Sequence, residues 1–332
     1  MVSRRRINNY GTSKRSHSLI VTQRQSWISA FARALTYVAP EVYQERVMAT
    51  LDPSGEFWKI RHRVTYEFEI QRETGSLDVL FEPPDLPQQK IHRHHLMSDP
   101  KRSAAQSRVD DWGNKRLSWR ISDPFQQISL EAETTVELVS PLAGSSVHER
   151  PSAAFTAAPP ETTSKSSSFW AWSARYLPDH NVDERAIEAL TRGFKRDFAY
   201  DPSATAVGTP LKDIFANCRG ACQDFARLAC AVLQARDTPA RYVTGYALPS
   251  SNAAVVELHA WFEAWLPEKG WQSYDPVLPH ARHIVLAYAP SQADAPIISG
   301  SCEGPPSRQR LTSRIFMEGH PIPMPLVESE QA

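Results

Sequence analysis

Between Trp58 and Ile70 the chain alternates without a break, with Trp58, Ile60, His62, Val64, Tyr66, Phe68 and Ile70 on one side and mostly charged residues on the other. A period of two sustained this long fits a half-buried strand and excludes an amphipathic helix, and its apolar side needs a second layer to cover it. Gln127 to Leu138 repeats the pattern, and Leu77-Val79-Phe81 and Leu117-Trp119-Ile121 supply shorter runs of the same period. Residues 57–140 therefore read as an antiparallel β-sandwich or half-sandwich. Within it, Asp111-Trp112-Gly113-Asn114 has the chemistry of a structural turn. His92, His94 and His95, near Met97 and Asp99, stand among Lys90, Arg93 and prolines and are expected in a solvated loop rather than in a metal site.

The pattern changes downstream. From Cys222 onward Phe225, Leu228, Ala229, Val232 and Leu233 recur at spacings of three and four, which predicts a helix entered through the small residues Gly220 and Ala221. Cys222 then falls in the first turn, where unpaired N–H groups and the helix dipole favour a thiolate. A nucleophile needs a base, and the base needs an orienting group. Val255 to Trp265 reads as one strand carrying His259, Trp261 and Glu263 in alternation. Pro267 to Gly270 reads as a turn, and Trp271 to Asp275 as a second strand ended by Pro276. Such a hairpin brings Asp275 within one to three residues of direct opposition to His259, giving a Cys222–His259–Asp275 triad. The Cys222 backbone N–H is one oxyanion donor, and Tyr200 and Asn217 are candidates for another. Trp261 is a candidate to shield the acyl-enzyme or simply to pack. Asp224 and Arg241 are expected to pair and so to orient the helix. Asn181-Val-Asp-Glu184 has capping-box character ahead of Ile187, Leu190, Phe194 and Phe198, a further core helix.

Gly220-x-Cys222-Gln223-Asp224-Phe225-Ala226, then Pro239-Ala240-Arg241-Tyr242-Val243-x-Gly245-Tyr246, His259-Ala260-Trp261 and Gly270-Trp271…Asp275-Pro276 resemble, in order and spacing, the bacterial transglutaminase-like cysteine hydrolases. Phe198 to Leu211 is similar to the same family's lead-in. The resemblance implies an α+β chain whose papain-like core, with the cysteine helix packed on an antiparallel sheet, follows an N-terminal β-domain. It also implies Cys222, His259 and Asp275 as nucleophile, base and orienting acid, with no cofactor or metal. The sequence departs from the family pattern at Arg227, where histidine is usual, at Leu258, where a small residue is usual, and at Val277-Leu278 in place of Thr-Asn. The implied activity is peptide or amide hydrolysis through a thioester. Protein cross-linking through the same acyl-enzyme and an inactive binding scaffold are the alternatives.

Across 332 residues Lys plus Arg and Asp plus Glu are 37 each, which gives no electrostatic case for nucleic acid or an acidic membrane. The expected partner is a peptide or protein substrate. Residues 1–56 open on a basic, acid-free stretch with one possible helix from Trp27 to Val38. Residues 141–168, rich in Ser, Ala, Thr and Pro, read as a linker to a catalytic domain at 169–303. Residues 304–332, with Pro321, Pro323 and Pro325 at alternate positions, read as an extended tail. The four cysteines, Cys218, Cys222, Cys230 and Cys302, are too few for a disulfide framework, so a reduced, cytoplasmic setting is expected. No pairing of Cys218 and Cys222 with His259 completes a structural zinc set.

Overall fold

A computed structural model describes residues 56–139, 151–250 and 253–320. The possible helix at 27–38 and the three alternate prolines after His320 lie outside the described residues. The first part of the chain forms β1 (Glu56–Arg72), β2 (Thr74–Glu82), β3 (Gln89–Asp99), β4 (Ser103–Val109), β5 (Lys115–Ile121) and β6 (Phe125–Leu138). Short helices α1 (Pro160–Thr163) and α2 (Ser168–Ser173) lead to α3 (Glu184–Asp197), β7 (Ala199–Tyr200), α4 (Leu211–Asn217), β8 (Arg219–Gly220) and α5 (Cys222–Gln234). The remainder is β9 (Ala240–Ala247), β10 (Ala253–Val256), β11 (Leu258–Leu266), β12 (Gly270–Tyr274), β13 (His283–Ala289), β14 (Ile298–Glu303) and β15 (Gln309–His320).

Two sheets face each other in the first unit, in the orders β10-β15-β1-β6-β3 and β14-β2-β5-β4. The alternation that opens the chain does what its period requires: Trp58, Ile60, His62, Val64, Tyr66 and Phe68 are all buried between the sheets. β1 is an inner strand, paired with β6 on one side and with β15 on the other. The expected C-terminal tail is thus corrected in part, because residues 309–320 are a strand of the sandwich, in register from Phe57↔His320 to Phe68↔Gln309. The histidine loop is corrected too. His92, His94 and His95 lie in β3, an edge strand whose polar alternation hides its period. Two of these histidines are tied to the neighbouring strand, His92 Nε2 to Glu137 at 2.6 Å and His94 Nδ1 to Thr134 at 2.9 Å.

The described part of the expected linker is not free chain. Residues 153–156 form a single 3₁₀ turn that buries Phe155 between Trp112 and Trp271, 5.4 and 5.2 Å away by ring centroids. The second unit packs α5 onto a sheet ordered β12-β11-β9-β13. Most of α5 is buried, with Ala226, Leu228, Ala229 and Leu233 fully so, because it has neighbours on nearly every side. α3 covers it through Ile187, Leu190 and Phe194, and its N-cap is Asp183, whose carboxylate accepts the Ala186 N–H at 2.8 Å. The two units share a core, since Tyr246, Leu248, Ile284 and Leu286 of the second cluster with the apolar residues of the sandwich. Asn114, in the turn after Gly113 (φ 90°), seals the junction by donating to Tyr288 O at 2.8 Å and accepting from Tyr288 N at 3.0 Å.

Candidate active site

Cys222 opens α5 as expected. Ala221 is the N-cap, and its N–H donates at 2.9 Å to Asp224 Oδ2, so the carboxylate at the third helical position closes the first turn. Thr205 Oγ1 donates to the same oxygen at 2.5 Å. The turn is tight: a Cβ on Gly220 would come within 2.9 Å of Asp224 Oδ2, so glycine is what allows the approach. Asp224 is fully buried, which pushes its carboxyl pKa upward against the pull of the Thr205 and Ala221 bonds. Its other oxygen faces Arg227 Nη1 at 3.6 Å. The expected Asp224–Arg241 pair is therefore corrected. Arg241 Nε donates to Glu263 Oε2 at 2.7 Å on the adjacent strand, and its guanidinium is held between the rings of Trp271 and Tyr288, 4.3 and 3.9 Å from their centroids.

The expected single strand from 255 to 265 is broken at Glu257. β10 joins the sandwich through β15, while β11 enters the second sheet and carries His259. β11 pairs with β12 with Phe262 opposite Tyr274, so Asp275 follows on two residues out of register with His259. His259 Nε2 meets Asp275 Oδ2 at 2.6 Å with both groups buried. Nδ1 is left for the thiol, and His259 bonds to the Cys222 side chain. Burial pulls the imidazole pKa down, but the charges of Asp275 and Cys222 and the bonds to both outweigh it and hold the ring well above the ordinary histidine value. Burial likewise works against ionised Asp275, and is outweighed by His259 and His283, which keep the carboxyl well below the usual carboxylate range. Opposite His259 in β9, a Cβ on Gly245 would fall 2.0 Å from Ile284 O and 2.9 Å from Trp261 Cη2, so only glycine lets β13 and the indole close in behind the histidine.

The other expected residues divide. Trp261 is fully buried, its ring 4.3 Å from that of His283 and 6.2 Å from that of His259, so it packs against the imidazoles. Tyr200 pairs with Gly220 through β7 and β8, two residues from Cys222. Asn217 is exposed at the end of α4. Cys218, exposed and left-handed at φ 49°, caps α4 with its thiol on Phe215 O at 3.3 Å. Cys230 is buried, which pushes its thiol far up. Sequence reasoning missed His283, which donates to Asp275 Oδ2 at 2.8 Å from the start of β13. The only trace of it in the sequence is a histidine at the edge of the apolar run Ile284 to Ala289. His259, Asp275 and His283 bring one donor atom each to within 4.8 Å of one another, a spacing that could admit a cation. With both Nε2 atoms already bonded to Oδ2, the arrangement shown is one that holds protons.

A cavity of about 350 Å³ runs along α5, lined by Gln223, Arg227, Cys230 and Gln234, by Leu258, and by Pro290 and Pro296, with none of the triad side chains in its wall. Its walls are mainly apolar, the usual make-up of a substrate site.

Two family models match the chain: the transglutaminase-like superfamily over residues 171–276, and the bacterial transglutaminase-like N-terminal region over residues 58–137. An uncharacterized protein of Mycobacterium bovis is 25% identical over 274 residues, covering 73% of this chain and 86% of that protein. A protein-glutamine gamma-glutamyltransferase of Pseudomonas aeruginosa is 36% identical over 118 residues, which are 31% of this chain and 18% of that protein. In three dimensions the chain is similar to a candidate cysteine protease from Cytophaga hutchinsonii, with a TM-score of 0.62 at 18% identity over 80% of this chain and 90% of that one. With its β-rich N-terminal region and its cysteine helix packed on an antiparallel sheet, the chain belongs to the transglutaminase-like superfamily and has the α+β fold of that group's bacterial members.

Proposed function

We propose that the protein is a cysteine-dependent amide hydrolase or acyl transferase that works through a thioester on peptide or glutamine-type amides. The observation that carries this reading is the continuous chain from Cys222, at the first turn of α5, through His259 to the buried Asp275 at 2.6 Å. A buried carboxylate in that position stabilises imidazolium and fixes the ring so that Nδ1 faces the thiol. The thiolate attacks the amide carbon, and the C=O π electrons move onto oxygen. The Cys222 N–H, at the helix start where no intrahelical partner exists, can receive the oxyanion. His259 then gives its proton to the departing amine, the C–N bond breaks, and a thioester remains. In the second half neutral His259 takes a proton from the incoming water, whose oxygen replaces sulfur. Arg227 and Leu258, two of the departures from the family pattern, both line the cavity that runs along α5.

The similarity to a protein-glutamine gamma-glutamyltransferase favours a second acceptor, a primary amine in place of water, at the same acyl-enzyme. The test is a panel of peptide amides and glutamine peptides with and without an added alkylamine. Carboxylic acid product is expected in water and an amide adduct if amines compete, each lost in Cys222→Ala. Turnover retained by Cys222→Ala would overturn the proposal.

A further inference from the structure

Asp275 accepts four hydrogen bonds. Oδ1 takes the backbone N–H groups of Val277 at 2.8 Å and Leu278 at 2.9 Å, whereas Oδ2 takes two imidazoles, His259 at 2.6 Å and His283 at 2.8 Å, each through Nε2. A carboxylate oxygen has two lone-pair sites, so Oδ2 is shared and full. His283 is held as firmly as the triad itself. It begins β13 opposite Ala247, its side chain is 10% exposed, and its ring lies parallel to that of His259 (5.8 Å, 7°) and over Trp261 (4.3 Å, 25°). Asp275 reaches it from the segment after β12, and His259 from β11, with Cys222 of α5 beyond. Its chain neighbour Arg282 is turned away to Glu56, at 2.5 and 2.9 Å.

Two donors on one oxygen do two things. They fix the plane of the carboxylate, because rotation would break one bond to restore the other. They also divide the negative charge that a single donor would draw on. We propose that His283 is a positioning residue of this site, which donates from Nε2 to Asp275 Oδ2, keeps that oxygen in line with His259, and limits how tightly Asp275 retains the His259 imidazolium. The proton is then easier to release to the leaving amine. This inference rests on the acyl-transfer reading and adds to it the group that tunes its acid.

The test compares full-length wild type, His283→Phe and His283→Gln. Phenylalanine keeps the ring over Trp261 and deletes the donor; glutamine restores an N–H near the position of Nε2. The His259 imidazole is titrated by NMR, which needs no turnover, and a reactive ester gives kcat/KM against pH. In His283→Phe the His259 midpoint is expected to rise by about half a unit to one unit, since Oδ2 now serves one donor. The alkaline limb of kcat/KM should move the same way, and its plateau should fall about tenfold to a hundredfold, as for loss of a hydrogen bond to a charged catalytic group. His283→Gln should return both to near wild type. A midpoint that is unchanged or lower in His283→Phe, or a glutamine variant that behaves like the phenylalanine variant, overturns the proposal. Ester turnover that survives Cys222→Ala would instead sink the acyl-transfer reading, while the titration still decides what His283 does to Asp275.

Discussion

Acid should loosen this protein in part through a histidine buried in the sandwich. His62 is fully buried in β1, where its ring edges onto Phe81 and its nitrogens meet Tyr246 Oη and Ser313 Oγ, each at 3.1 Å. Burial lowers its pKa from 6.5 to about 3. Two hydroxyls can rotate to suit a neutral imidazole, but neither can offset a charge. A histidine depressed in the folded state takes up its proton first in the unfolded chain, so folded stability is complete above pH 6.5 and declines as the pH falls toward 3. Linkage puts the loss from this one group at about 2 kcal/mol at pH 5 and about 3 kcal/mol at pH 4, relative to pH 7.5. The assay is urea unfolding at the three pH values for wild type and His62→Gln, which keeps polar groups for both hydroxyls and does not titrate. The groups common to both proteins cancel in the difference. Wild type should lose about 2 kcal/mol more than the variant at pH 5. Equal pH slopes would show that His62 is solvated or already charged in the folded state, and would refute the reasoning.

Further outcomes follow from the same geometry. Glu263→Ala should destabilise the protein by about 2–4 kcal/mol in the same urea assay, because it leaves the half-buried Arg241 guanidinium between Trp271 and Tyr288 without its carboxylate partner; a loss under about 1 kcal/mol would mean that water compensates the guanidinium. Single-turnover acylation by a reactive ester should collapse by several orders of magnitude in His259→Ala, and by less than about 10⁴ in Asp275→Asn, where a preformed ion pair depends less on proton abstraction. The double variant should resemble His259→Ala, and losses that multiply would mean that the two residues act independently.

What the sequence made legible was whatever followed a period or a local rule. The long alternation of β1 and β6 and the three- and four-residue spacing of α5 appear where expected, because each element buries one continuous face or is buried throughout. His259 and Asp275 were legible because a hairpin turn sets their separation. What stayed hidden depended on distant pairing. β3 and β4 lie at sheet edges and carry polar residues that report no period. β15 reads as a tail until β1 is seen to need a second neighbour. Val255 and His259 look like one strand, yet the chain passes from one sheet to another between them. Arg241 took Glu263, its cross-strand partner, in preference to the nearer-seeming helix carboxylate, because the paired β9 and β11 fix those two residues directly opposite each other. His283 could be placed on Asp275 only once β13 was known to lie beside β9.

The most direct test of the central claim uses the four cysteines as competitors. Exposure alone favours Cys218, which is open to solvent, over Cys222, which is 6% exposed. Limited iodoacetamide at pH 6, read by peptide mass spectrometry, sets reactivity against access. If Cys222 is the nucleophile activated by His259, it is alkylated first despite its burial, and that advantage disappears in His259→Ala. Alkylation of Cys218 ahead of Cys222, or a Cys222 rate unchanged in His259→Ala, would contradict it.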